Sequence, residues 1–104
     1  MYLQANMPDL GPITSIKCKI EERLQNLAVL KNIDTGSDYD LMDLLSALRD
    51  IGALSPTEDR AIRHIVNLCD KAVYGSRVDP YRITEATAIG ERVVHIIDRR
   101  LEIV

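Results

Sequence analysis

Apolar residues recur at three- and four-residue spacing in four stretches of the chain, which is the mark of helices that bury one face. The first stretch runs from about Pro12 to about Asn32, with Ile13, Ile16, Ile20, Leu24 and Leu27 on one stripe. Pro12 suits a first helical position, where its missing N–H costs nothing. The second runs from about Tyr39 to about Ile51. Its apolar face is Leu41, Leu44, Leu45, Leu48 and Ile51, Ser37 or Asp38 serves as its cap, and Gly52 is its stop. The third begins at Ser55-Pro56-Thr57-Glu58, a cap, a proline and a capping-box glutamate in succession. Ile62, Ile65, Val66, Cys69, Ala72 and Val73 face inward, and Gly75 closes the helix. The fourth is capped by Thr84 and buries Ala86, Ile89, Val93, Ile96, Ile97 and Leu101, with Gly90 on the same stripe as a point of close helix approach. The β-branched pairs Val93-Val94 and Ile96-Ile97 continue a helical period, so no strand competes with this reading. Short connections favour antiparallel neighbours, and the pattern predicts an all-α, up-and-down four-helix bundle.

Composition supports one domain. The chain has 104 residues, 46% of them hydrophobic, and its aromatics are four tyrosines with no Phe or Trp. A core must then come from Leu, Ile, Val, Ala and Met, which interdigitating helices use well. A bundle over 12–104 follows an N-terminal arm or linker over 1–11. That opening has no basic start and no apolar run of the kind a secretory signal carries, and no stretch approaches the length of a membrane helix. The expectation is a soluble, cytoplasmic domain without membrane insertion, whole or cut from a longer protein. Cys18 and Cys69 read as buried thiols rather than a disulfide. Cys18 and Val29 lie off the first helix's main stripe, either thickening its packed edge or forming a small second seam for a partner. The formal net charge of -3 gives no overall field for nucleic acid.

Polar chemistry concentrates on the third helix. Arg60, Arg63, His64, Asn67, Asp70, Lys71 and Tyr74 fall on about a third of its circumference at 100° per residue. This face has three readings: a solvated surface with ordinary ion pairs, a small anion or RNA site with Arg60 and Arg63 as cations and Tyr74 as donor, or a seam between two protomers. His64 and His95 are the only histidines, and they lack metal-ligand spacing. No glycine-rich phosphate loop is present, and neither Ser46 nor Thr87 has a His/Asp arrangement legible from sequence. No cofactor or metal is implied. Asp98-Arg99-Arg100 suits the end of a helix.

One family resemblance arises from the order of several segments. Ile20-Glu21-Glu22-Arg23-Leu24, the run Leu44 to Ser55 with its glycine stop, and Ala61 through Gly75 resemble, in that order, the first three helices of HEPN-like domains. With the last helix, the resemblance covers about residues 12 to 102. In ribonuclease members the third helix ends in Arg, a polar residue, three variable residues and His. Two protomers pair so that these residues line a cleft, with His as general acid/base and Arg steadying the phosphate. The same register here holds Cys69, Asp70, Lys71, Ala72, Val73 and Tyr74. Cys69 supplies no cation, and a tyrosine, with an ordinary pKa near ~10, is poorly matched to proton transfer at neutral pH.

The resemblance therefore implies a catalytically degenerate HEPN-like domain, a pseudoenzyme that acts as a homodimer and binds a protein partner. It suits a regulatory part in a defence or toxin–antitoxin type of system. The alternative is an RNA-binding protein or ribonuclease using the polar face of the third helix. A third reading is a neutralising partner of a related toxin.

Overall fold

The structure, a computed structural model, describes residues 10–33, 40–75 and 77–102. They form four helices: α1 (Gly11–Leu30), α2 (Leu41–Asp50), α3 (Pro56–Val73) and α4 (Pro80–Glu102). No strand occurs among the described residues, and the chain is an all-α four-helix bundle. Most of the proposed arm over 1–11 lies outside the described residues. Leu10 is described and packs half-buried against the core.

Helix ends follow local chemistry. Ser55 and Glu58 form both halves of the capping box, the Ser55 hydroxyl accepting from the Glu58 N–H and the Glu58 carboxylate from the Ser55 N–H. Gly52 and Gly75 have φ of 78° and 87°, the left-handed conformation that glycine adopts without a Cβ penalty. α2 is capped by Asp40, whose carboxylate accepts from the Asp43 N–H. The expected caps Ser37 and Asp38 and the expected start at Tyr39 lie outside the described residues. α4 begins four residues before the expected cap at Thr84. Asp79 takes that part, its carboxylate accepting from the Tyr81 N–H, and Pro80 occupies the first helical position. The Thr84 hydroxyl instead donates back to the Pro80 carbonyl.

Pairs of residues fix the helix directions. Arg23 meets Asp98, and Gly90 sits against Ile16, so α1 and α4 run the same way. Glu58 meets Arg100 and Gly90 also faces Ile65, so α3 runs against α4. Arg49 reaches Asp59, and Arg63 reaches Ser46, which sets α2 against α3. Alternation of direction thus holds from α2 onward, and α1 and α4 lie side by side in parallel. The departure falls at the α1–α2 connection, the longest of the three.

The core joins Ile13, Ile16, Ile20, Leu24 and Leu27 of α1 to Leu44, Leu45 and Leu48 of α2, Ile62, Ile65 and Cys69 of α3, and Ala86, Val93 and Ile97 of α4. Three residues expected on inward stripes are exposed: Ile51, Val73 and Ile96. Ile51 is the C-cap of α2, and Val73 is the last residue of α3, where the neighbouring helices no longer cover the stripe. Ile96 is one position off the buried Val93–Ile97 line, and Ile83 and Val94 supply core contacts in its place. Ile89 and Leu101 are half-buried at the margin. A Cβ built on Gly90 would fall on the Ile16 Cγ2 methyl, so this glycine permits the close approach of α4 to α1.

Candidate functional site

α3 is tied at its start to α4. Arg100 of α4 makes two 2.6 Å bonds to the Glu58 carboxylate and a 3.1 Å bond to the Ala53 carbonyl. The capping-box glutamate is thus shared between its own helix and α4. Burial acts to raise the Glu58 pKa, but the bonds from Arg100 and the Ser55 N–H outweigh it and hold the carboxyl below its ordinary range.

The polar residues of α3 divide into two groups. In the first, Asp59 is only 3% exposed. It accepts from Arg63 Nε at 3.0 Å and from Arg49 Nη1 of α2 at 3.3 Å. Arg63 Nη2 also donates to the Ser46 hydroxyl at 2.9 Å. Asp70 accepts from Lys17 Nζ of α1 at 2.8 Å. That bond raises the Lys17 pKa, with burial opposing it. Arg63 and Asp70, both on the polar face read from the sequence, are occupied in joining α3 to α2 and α1.

The second group is Arg60, His64, Asn67, Lys71 and Tyr74, all exposed. They fall within an arc of about 80° at 100° per residue. Tyr74 is 86% exposed. Neither Arg60 nor Lys71 makes an ion pair with a described residue. No carboxylate lies in this arc, because Asp59 and Asp70 sit on its flank and point to other helices. A protein of net charge -3 thus presents one helix face that is locally cationic.

The two positions that replace the ribonuclease pair are separated. Cys69 is 1% exposed and belongs to the core, whereas Tyr74 is the C-cap residue of α3. Five residues of helix turn them about 140° apart. Burial pushes the Cys69 thiol's pKa up, and hydrogen bonding with Thr14 and the charge of Lys17 offset this only in part. Cys69 therefore stays a protonated thiol at neutral pH, the unreactive form. Cys18 is free and exposed, in contrast to the buried thiol expected from its stripe, and Val29 is exposed on the same helix. Neither thickens the packed edge. His95 lies on the exposed side of α4.

Sequence reasoning missed the parts of Asp59 and Arg49, and considered Ser46 only as a nucleophile and not as a partner of Arg63. Asp59 and Arg63 stand at i and i+4, a pairing legible on any helix. The contribution of α2 required knowing how it packs. Elsewhere, a groove of ≈ 370 Å³ between the start of α1 and the first half of α4 is lined by Pro12, Pro80, Ile83, Thr84, Thr87, Ala88 and Glu91. It contains none of the polar-face residues of α3 and neither Cys69 nor Tyr74. Among the described residues, no three His, Cys, Asp or Glu side chains converge as a metal site, and no helix is long and apolar enough to cross a membrane.

No protein-family model matches the chain, and neither a curated protein nor a solved structure matches it.

Proposed function

We propose that the protein is a non-catalytic, HEPN-like interaction module that works by self-association and by binding a protein partner. The observation that carries this reading is the state of the two positions where a ribonuclease of that kind keeps its cation and its acid/base. One is a protonated core thiol, Cys69, and the other is an exposed phenol at the helix end, Tyr74. Positioned proton transfer contributes about 10²–10⁴ in rate, and this arrangement supplies neither partner for it. The four helices pack around one apolar core, a scaffold that supports recognition as the task. Exposed Cys18 and Val29 on α1 offer a surface for a second copy.

The test is an RNA-cleavage assay of purified protein with Mg²⁺ on structured and unstructured RNA, beside light scattering over a range of concentrations. No cleavage together with a concentration-dependent dimer is the expected result. Cleavage that disappears in a Tyr74→Phe variant would refute the reading, as would a strict monomer at high micromolar concentration. RNA binding without cleavage is the rival reading, and what favours it is that Arg60 and Lys71 make no ion pair with a described residue.

A further inference from the structure

The flanks of α3 are used by the bundle, and the stripe between them is not. Its members, Arg60, His64, Asn67, Lys71 and Tyr74, are separated by four, three, four and three residues. That is heptad spacing. A stripe so spaced drifts only about 20° per heptad on a straight helix, so it stays on one line for its whole length of about 21 Å. A surface of that shape matches a second helix laid along it.

We propose that this face docks an acidic helix of a partner protein. The proposal rests on the interaction-module reading and names the chemistry of the partner. Arg60 and Lys71 stand about 16 Å apart along the axis and have no ion pair with a described residue. They call for carboxylates eleven residues apart on the partner. His64 and Asn67 lie between them and offer further hydrogen-bonding groups. Tyr74 ends the line with an exposed ring and hydroxyl, the residue type enriched at protein interfaces.

Two other occupants fit less well. A second copy of the chain would bring the same two cations and no carboxylate to the seam. A nucleic acid strand carries a phosphate at every nucleotide, and its affinity grows with the number neutralised. Two separated cations on a protein of net charge -3 neutralise few.

The experiment uses the full chain and two fluorescein-labelled, alanine-rich helical peptides of equal composition. One carries glutamates at four-, three- and four-residue spacing, and the other has them spread around the helix. Binding is followed by anisotropy at low and high salt. The expected result is saturable binding to the first peptide, at least about tenfold weaker for the second. Reversing the charges in an Arg60→Glu/Lys71→Glu variant should weaken it as much, since like charges facing each other are strongly unfavourable. An Arg92→Glu/Arg99→Glu variant, altered on the exposed side of α4, should bind as the parent does. Circular dichroism checks that each variant is folded.

Equal binding to both peptides, or none, overturns the proposal. So does tighter binding to a 20-mer oligouridylate that is lost in the Arg60→Glu/Lys71→Glu variant, which would assign the face to RNA. Loss of self-association in that variant would assign it to a second copy. If self-association persists while the spaced peptide fails to bind, the docking proposal falls and the interaction module stands. If the peptide binds and the parent chain is a strict monomer, the docking proposal stands and the self-association part of the module reading falls.

Discussion

Two sides of one helix carry the same kinds of residue and do different things. On one flank of α3, Asp59, Arg63 and Asp70 are bound to α1 and α2. On the next arc, Arg60, His64, Asn67, Lys71 and Tyr74 are exposed. Arg60 and Arg63 are three residues apart and differ in almost everything but type. Polarity alone does not separate a structural residue from an available one. The partner across the helix interface does.

The comparison can be tested by its energies, starting with the inward side of the bundle. Ile65→Ala and Leu48→Ala, both at fully buried positions, should cost about 2–5 kcal/mol in chemical denaturation, the range for truncating a buried aliphatic side chain. A loss below about 1 kcal/mol at both would undo the bundle's core assignment.

The next test sets Arg63 against Arg60. Arg63→Ala leaves the nearly buried Asp59 carboxylate with only its longer bond to Arg49, and should cost about 2 kcal/mol, as expected for hydrogen bonds to a charged group. Asp59→Asn should cost less, because the two arginines that lose a partner can still reach water. Arg60→Ala should stay within about 0.5 kcal/mol of the parent. Equal effects at Arg60 and Arg63 would erase the distinction between flank and stripe.

A smaller effect concerns pH. The Glu58 carboxyl is held below its ordinary range in the fold, so its folded pKa lies below its unfolded value near ~4.3. Its contribution is therefore full above about pH 4.3 and is lost as the pH falls through the folded value. In a Glu58→Gln variant, measured by urea unfolding from pH 7 to pH 3, the stability gap to the parent should narrow at the acid end. A gap that widens on acidification would reverse the assigned sign. Smallest of all, Asn67→Ala and Tyr74→Ala should leave stability within about 0.5 kcal/mol, and larger losses would show that the stripe belongs to the bundle after all.

Much of the fold was legible because helices announce themselves locally. The capping box at Ser55 and Glu58 and the stops at Gly52 and Gly75 involve groups a few residues apart, and all stand as read. The start of α4 was equally legible and was misread. Asp79-Pro80 repeats the grammar of Ser55-Pro56, a capping oxygen followed by a proline, whereas Thr84 only looks like a cap. The site was harder. Asp59 sits in the first turn of α3, where an acid is ordinarily a solvent-exposed complement to the helix dipole. Its burial depends on Arg49 and on the packing of α2, which no local pattern encodes. The HEPN-like resemblance drew attention to Cys69 and Tyr74, and the structure sends their side chains to different environments.

The parallel seating of α4 beside α1 at Gly90 has a consequence for how the chain folds. α2 and α3 are joined by five residues and clipped by Arg49 and Asp59, so their contacts close short loops. Arg23 and Asp98 are 75 positions apart, and ordering so long a stretch before any contact rewards it slows a search. The helical hairpin should therefore assemble early, with α1 and α4 closing on each other late. Gly90→Ala, which sets a methyl group against Ile16, should then speed unfolding and leave the folding rate nearly unchanged. In a chevron series, a folding limb that slows as much as the unfolding limb quickens would place this closure at the start instead.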